Sequence, residues 1–212
     1  MTSFVLDPEE IESTSMRIIR NGLKRTWSDD ESPIVERIIH TSGDPSLEQD
    51  IAIHQKAVEC GLKVLKNGAA IITDVEMVRA GIAKKNLNSL GSTVECFLNF
   101  PSVAEQAKLW GITRSMTAFR LHAHQLAGSI VAIGNAPTAL LEVLSLAENI
   151  ETRPALIIGM PVGFVGAKEV KELLWQQQNV PSITVFGTRG GSPLAASVVN
   201  ALLNAAVQRV GL

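Results

Sequence analysis

Aromatic residues are scarce in this sequence, which contains three Trp, six Phe and no Tyr. Proteins that bind nucleic acids combine basic grooves with aromatic side chains on which the bases stack. The formal net charge is −2, and the sequence has no basic stripe. These features argue against a nucleic acid as the main partner, and the charge argues equally against an anionic membrane surface.

Cysteine clusters and long hydrophobic runs are also lacking. Cys60 and Cys96 lie far apart and belong to no CxxC pattern, which predicts two reduced, buried thiols. Residues 1–12 are acidic and lack the apolar stretch of a signal peptide. No apolar run approaches the ~20 residues that a membrane span requires. We therefore predict a cytoplasmic protein that does not associate with membranes.

The organisation of the chain predicts one α/β domain over residues 1–212. No linker, repeat or low-complexity stretch interrupts it. Short apolar runs alternate with longer amphipathic segments, which is typical of a mostly parallel sheet with helices on both faces. We predict a three-layer α/β/α sandwich with about five strands. The strands are expected at residues 69–73, 93–97, 129–134, 155–159 and 182–186.

Capping signals predict where the helices begin and end. A first helix is expected over residues 7–22, and a second opens at Ser32-Pro33 and ends before Gly43. A third is expected over residues 46–66, with His54 inside it. Further helices are expected near residues 75–80, 101–109, 113–127, 137–149, 166–177 and 193–209.

The segments that follow the strands are where a ligand site is expected, because such sheets bind ligands at the carboxyl ends of their strands. Residues 160–166 and 187–192 are rich in glycine, and each opens a helix whose free N–H groups suit a phosphate or carboxylate. Neither matches a dinucleotide or P-loop fingerprint, and a tight turn without a ligand is the alternative for each. Arg189 favours an anion, because a guanidinium binds a carboxylate through two hydrogen bonds.

His40 is the candidate general acid. It follows two apolar residues in the last turn of the second helix, and the C-terminus of a helix stabilises positive charge. Histidine titrates near neutral pH, so an imidazolium at this place is suited to donate a proton to a substrate nitrogen or carbon. The alternative is a histidine that caps a terminal carbonyl of the helix.

Other chemical groups carry weaker signals. No G-x-S-x-G elbow is present, which gives no support to a serine nucleophile. His122 and His124 would point in different directions on a helix, and we predict no metal site. Asp74 and Glu76 begin a helix after a strand, where acidic side chains usually complement the helix dipole.

Taken together, the motifs resemble those of the precorrin-8X methylmutases, enzymes of cobalamin biosynthesis. The segment IIHTSGDP at residues 38–45 resembles the catalytic histidine segment of that family. The segments that agree with it in order and spacing are SMRIIR at residues 15–20, TDVEMVRAGI at 73–82, GITRS at 111–115, PVGFVGAKE at 161–169 and RGGS at 189–192. The resemblance extends from about residue 4 to 206, and the ordered set is far more specific than any single motif.

The resemblance implies a homodimeric isomerase that moves a methyl group from ring carbon C-11 to C-12 of precorrin-8X or cobalt-precorrin-8. The product would be hydrogenobyrinate or cobyrinate. It implies no separate cofactor, so that any cobalt would arrive within the tetrapyrrole. By their places in the motifs, His40 is the general acid, and Ser15, Arg114 and Arg189 contact the substrate. Residues 43–45 resemble the branch of the family that acts on cobalt-containing substrates.

One helix departs from this resemblance. Phe119, His122, His124 and Gln125 follow the arginine motif, where the family has mainly small residues. Two other functions stand beside the isomerase. The first is a protein that sequesters the corrinoid product without turnover, and the second is a nucleotide-binding enzyme that uses one of the glycine loops.

Overall fold

The computed structural model describes residues 4–211 and contains ten α-helices and six strands in that range. The helices are α1 Pro8–Gly22, α2 Ser32–Ser42, α3 Ala57–Lys66, α4 Glu76–Gly81, α5 Lys84–Ser89, α6 Pro101–Trp110, α7 Arg114–Leu121, α8 Pro137–Leu146, α9 Ala167–Gln177 and α10 Ser192–Val210. The strands are β1 Ile51–Ile53, β2 Ile71–Thr73, β3 Val94–Cys96, β4 Ile130–Ile133, β5 Leu156–Gly159 and β6 Ser182–Val185. None of the helices within residues 4–211 is long and apolar enough to span a membrane.

The six strands form one sheet in the order β1-β6-β5-β4-β2-β3. All neighbours pair in parallel except β1, which runs antiparallel to β6 at the edge of the sheet. Every residue of β4, β5 and β6 is buried, because parallel strands are covered by helices on both faces. The five strands predicted from the sequence are confirmed.

Alternating side chains of the strands divide the core into two apolar layers. Ile71 and Ile130 pack on one face of the sheet, together with α2, α3, α4, α5 and α10. Ile72 and Val131 pack on the other face, together with α6, α7, α8 and α9. This alternation follows from the two-residue period of a strand. The predicted three-layer α/β/α sandwich is confirmed.

The prediction of a continuous third helix over residues 46–66 is wrong. A 3₁₀ turn over Pro45–Asp50 leads into β1, and only then does α3 begin. The side chain of Arg25 holds this edge strand by donating to the carbonyl oxygens of Glu48 (3.0 Å) and Ile51 (2.9 Å). Since β1 pairs with a strand about 130 residues further along the chain, its periodicity alone could not identify it. His54 consequently follows a strand, and its N–H donates to Ser182 O (2.9 Å).

Two further elements differ from the prediction. The helix expected over residues 113–127 ends at Leu121 and continues as a short 3₁₀ turn. The short helix α5 was not predicted, and it depends on α10. Asn200 of α10 accepts from Ala83 N (2.8 Å) and donates to Gly81 O (2.8 Å), which fixes the turn between α4 and α5. Both cysteines are free thiols as predicted, but only Cys96 is buried, whereas Cys60 is partly exposed.

Candidate active site

Two glycine-rich loops meet at the carboxyl edge of the sheet, after β5 and β6. The N–H of Gly163 donates to Thr188 O (3.0 Å), and the N–H of Gly191 donates to Met160 O (2.8 Å). A Cβ atom at Gly190 would lie 2.5 Å from Met160 O, so the close approach of the two loops requires glycine there. The loops therefore form one continuous surface where the sequence predicted a ligand site.

A cavity of about 350 Å³ opens on this surface, between the end of α2 and the start of α10. Its lining residues are Thr41, Ser42, Asp44, Leu47, Val162, Arg189, Gly190, Pro193 and Leu194. A larger hollow of about 580 Å³ lies beside the edge strand β1. We place the candidate site at the smaller cavity because the predicted histidine segment and the predicted anion loop converge there.

His40 lies in the last turn of α2, and the next two residues, Thr41 and Ser42, line this cavity. Gly43 ends the helix in the left-handed conformation (φ 64°), and its N–H donates to Ile39 O, as is usual for a C-terminal cap. Ile38 and Ile39 are buried, whereas His40 is exposed and is directly followed by Thr41, which lines the cavity. The fold thus anchors the helix through its apolar face and leaves the imidazole free to meet a ligand.

Arg189 is the predicted substrate-binding residue that lines the cavity itself. Its guanidinium donates to Asp44 Oδ2 (2.5 Å), Ser46 Oγ (2.9 Å) and Asp50 Oδ2 (2.5 Å). The side chain therefore joins the loop after β6 to the turn that ends the His40 helix. Its contact with a substrate carboxylate stays a prediction, and such a contact would have to share the guanidinium with these two aspartates.

Lys171 belongs to the same site and was missed in the sequence. It is fully buried in α9, and its Nζ donates to the carbonyl oxygen of Arg189 (2.7 Å). Burial lowers the pKa of Lys171 to about 8, while the nearby charge of Asp50 acts in the opposite direction. A signal was present, because Lys171 occupies the apolar face of α9 together with Val170 and Leu174.

The depressed pKa predicts a pH-dependent stability difference between the wild type and Lys171→Met. The unfolded chain binds this proton up to an ordinary pKa of 10.5, but the folded chain only up to about 8. Wild-type stability should therefore rise between these values, and the variant lacks that rise. We expect the difference in unfolding free energy to grow in favour of the wild type by about 1–2 kcal/mol from pH 7 to pH 9.5. Urea unfolding at both pH values measures it, and a constant difference would contradict the burial of a titrating amine.

Arg114 also lies at the carboxyl ends of the strands, but beside β3, the strand furthest from Arg189 on that side of the sheet. Thr113 caps α7, and Arg114 Nη2 donates to Leu98 O (3.0 Å) and Asn99 Oδ1 (3.1 Å) in the segment after β3. Four strand spacings separate β6 from β3, which is roughly 19 Å. Arg114 and Arg189 therefore cannot hold the same carboxylate, although both can serve one wide ligand.

Ser15 lies on α1, outside the cavity. Its hydroxyl donates to Ile11 O (2.8 Å), and no residue of α1 is buried. Ile11 and Ile18 flank it at helical spacing on the same face, and both are exposed. A bidentate ion pair between Arg20 and Glu36 fastens α1 to α2. The structure of one chain thus leaves Ser15 within an uncovered apolar stripe.

Asp74 has a structural position that the sequence did not reveal. Its carboxylate is buried and accepts hydrogen bonds from the backbone N–H groups of Gly134, Asn135 and Ala136 (2.8–2.9 Å). Burial raises the pKa of Asp74, whereas the three N–H donors oppose that shift. Asp74 therefore complements the turn that leads into α8, and not the helix that begins beside it.

Comparisons with known proteins agree with this architecture. The precorrin-8X methylmutase family model matches residues 10–205. The chain belongs to the precorrin-8X methylmutase family. It is 41% identical over 204 residues to the precorrin-8X methylmutase of Pseudomonas aeruginosa, covering 95% of this chain and 98% of that one. It is 39% identical over 204 residues to the cobalt-precorrin-8 methylmutase of Methanocaldococcus jannaschii, covering 93% of each chain.

A crystal structure of the precorrin-8X methylmutase from Thermus thermophilus has the same fold. It superimposes with a TM-score of 0.85 at 35% identity, covering 94% of this chain and 98% of that chain. The family predicted from the sequence motifs is confirmed, and so is the enzyme class, an isomerase of cobalamin biosynthesis. Some of these relatives are named for a cobalt-containing substrate and others for a cobalt-free one, and both kinds match this chain at similar identity.

The residues that depart from the family pattern divide into two pairs. Phe119 is buried and His122 is partly buried, whereas His124 and Gln125 are exposed in the 3₁₀ turn after α7. Phe119 is buried in the apolar layer between the sheet and helices α6 to α9. The His122 ring stacks on Phe97 with ring centroids 4.2 Å apart, and His122 Nδ1 lies 2.9 Å from Ala118 O. These residues support the segment after β3 that Arg114 contacts. Within residues 4–211, no three His, Cys, Asp or Glu side chains are grouped closely enough to hold a metal ion.

Proposed function

We propose that this protein moves a methyl group from C-11 to C-12 of precorrin-8X or cobalt-precorrin-8, giving hydrogenobyrinate or cobyrinate. The observation that carries the proposal is the family match over residues 10–205, joined to the place of His40 directly before Thr41 and Ser42, which line the same cavity as Arg189. In this proposal the His40 side chain acts as a general acid without the help of a catalytic triad or a metal ion.

The proposed role of His40 is general acid catalysis. Its imidazolium donates a proton to the macrocycle near the migration site, which makes the receiving ring carbon electron-poor. The methyl group then moves with its bonding electron pair on one face of the ring, so that its bond to C-11 breaks as its bond to C-12 forms. The proton is returned afterwards, because substrate and product are isomers. An exposed histidine at a helix end is suited to both transfers.

The two arginines support a wide, carboxylate-fringed substrate. Arg189 follows β6, and Arg114 contacts the segment after β3; these two strands lie roughly 19 Å apart in the sheet. A guanidinium binds carboxylates with good geometry. A compact ligand could reach only one of them. A tetrapyrrole with carboxylate side chains on its periphery could be held at both ends, which leaves its centre near the loops after β4 and β5.

Arg114→Gln should therefore weaken substrate binding. The glutamine side chain keeps a hydrogen-bond donor but loses the charge, and a hydrogen bond to a charged group is worth about 1.5–3 kcal/mol, so we expect KM to rise about 10–100-fold. Steady-state kinetics measure this change, with Arg153→Gln as the control. Arg153 donates to the carbonyls of Ala147 and Glu148, away from the site. An unchanged KM for Arg114→Gln would rule out its contact with the substrate.

A second copy of the chain completes the site in this proposal. Phe164 and Val165, at the tip of the loop after β5, are 93% and 89% exposed. They follow Val162, which lines the cavity. Like Ile11 and Ile18 of α1, they leave apolar surface uncovered, which marks an interaction surface. A tetrapyrrole also exceeds a cavity of about 350 Å³, so further walls are needed. Light scattering should give a dimer mass, and Phe164→Asp should shift it to that of a monomer.

A single spectroscopic assay tests the function. Purified protein is mixed with precorrin-8X or with cobalt-precorrin-8, without any other addition, and the visible spectrum is followed. Conversion to the corrin product supports the isomerase, and the faster of the two reactions identifies the substrate. Tight binding of substrate and product without conversion would indicate a protein that sequesters corrinoids. A requirement for a nucleotide or another cofactor would contradict the proposal.

A further inference from the structure

A buried lysine lies directly beneath the proposed site and has no role in the chemistry described above. Lys171 is fully buried in α9, and its partner is a main-chain carbonyl, Arg189 O at 2.7 Å. A buried ammonium group is costly unless it is well paired, and this one makes no ion pair within 4.0 Å among residues 4–211. A lysine kept at such a place fixes the position of the carbonyl that it contacts.

The segment held by Lys171 would otherwise have great conformational freedom. Residues 187–191 include three glycines, and Gly187 (φ 78°) and Gly191 (φ 124°) adopt conformations that side chains disfavour. Gly190 is packed against the main chain of Met160. The hydrogen bond from Lys171 Nζ holds the carbonyl of Arg189, the central residue of this segment.

The side chain of Arg189 links this anchored segment to α2, the helix that carries His40. Arg189 donates to Asp44 and Asp50 (both 2.5 Å). The N–H of Asp44 in turn donates to Ser42 Oγ (3.1 Å), and that hydroxyl donates to Ile39 O (3.0 Å). His40 lies between these last two residues. Hydrogen bonds, linked through the covalent structure of Arg189 and Asp44, thus connect the buried amine to the turn of α2 that presents His40.

We infer that Lys171 is a positioning residue for His40, acting through the main chain and the guanidinium of Arg189. The inference rests on the proposed role of His40 as the acid. Displacements on the order of 1 Å at a reacting group can cost up to ~100-fold in rate. Loss of this anchor should therefore lower kcat, and it should raise KM by a smaller factor because Arg189 is also a proposed substrate contact.

The test compares Lys171→Met with Lys168→Met. Methionine has a similar length but cannot donate, and Lys168 lies one turn earlier on α9 with an exposed side chain near Glu172. We expect kcat of Lys171→Met to fall about 10–100-fold, and KM to rise by a smaller factor because Arg189 also contacts the substrate in the proposed function. Lys168→Met should behave as the wild type. Lys171→Gln keeps an N–H donor and should recover part of the rate.

A readout without turnover separates this inference from the proposed function. The four histidines give separate NMR signals after selective labelling, and the His40 signal is the one lost in His40→Ala. In Lys171→Met the His40 signal should shift, whereas the other three should not. An unchanged His40 signal would overturn the inference even if His40 is the acid. If the signal shifts but His40→Ala remains active, the acid role fails and the structural link stands.

Folding of the variants is part of the same test. Removing a desolvated charge leaves Lys171→Met with a well-packed apolar side chain, so we expect a folded protein at pH 7 by circular dichroism. If neither Lys171→Met nor Lys171→Gln folds, Lys171 supports the fold as a whole, and its assignment as a positioning residue is wrong.

Discussion

Replacement of His40 by alanine is expected to lower kcat by about 10²–10⁴-fold, the range for loss of a general acid. Alanine cannot hold or donate a proton. Among residues 4–211, the ionisable side chains that line the cavity are Asp44 and Arg189, which are paired with each other. Binding of the corrin product should change little, because the His40 side chain is exposed and is not among the residues that line the cavity. Single-turnover spectroscopy measures the rate, and titration with the product measures the affinity.

Two variants make the His40 experiment specific. His40→Gln keeps a polar side chain of similar reach but cannot act as an acid, so it should be as slow as His40→Ala. His54 lies near the amino end of β6, whereas the candidate site lies at the carboxyl ends of the strands. His54→Ala should therefore react at the wild-type rate. Turnover of His40→Ala at the wild-type rate would show that the proton comes from another group.

Replacement of Asp74 by asparagine is expected to destabilise the fold by about 1–3 kcal/mol, the cost of leaving a buried hydrogen-bond donor unpaired. The carboxylate accepts three N–H groups from residues 134–136. The asparagine side chain keeps one oxygen and turns an NH₂ group toward those donors, so that buried donors remain unpaired. The turn into α8 lies against the start of α10, since a Cβ at Gly134 would come within 2.6 Å of Ser192 Cα. Urea unfolding at pH 7 measures the loss.

The neighbouring acid provides the control for Asp74. Glu76 lies two residues further along and pairs with Arg79 (2.6 Å) on the surface. Exposed ion pairs contribute at most about 1 kcal/mol, so Glu76→Gln should unfold close to the wild-type midpoint. If Asp74→Asn were equally stable, the three hydrogen bonds would contribute nothing that a neutral amide could not replace.

Local sequence signals identified most of the secondary structure. The central strands are continuous apolar runs because helices cover both of their faces, and Pro8 and Gly43 lie at helix ends for reasons of backbone geometry. The end of α2 at Gly43 was predicted together with the position of His40 in its last turn. These features depend on residues within a few positions of one another.

Elements that depend on distant partners were missed. The edge strand β1 exists because β6 pairs with it and Arg25 holds it, and α5 exists because Asn200 fixes the turn before it. Asp74 was interpreted as the complement of its own helix, but its partners lie 60–62 residues away. A local pattern contains no information about such partners.

By itself, the sequence determined the α/β class, the five mostly parallel strands and the family, and it singled out His40 as the candidate general acid. Periodicity, capping and ordered motifs are properties of the chain alone. The tertiary structure decided which side chains share the site. It joined Lys171, Arg189 and Asp44 into one network beside His40 and placed Arg114 at the far end of the same sheet edge. The reason is physical: burial and the order of the strands bring together residues that lie more than a hundred positions apart, and only the folded chain defines those distances.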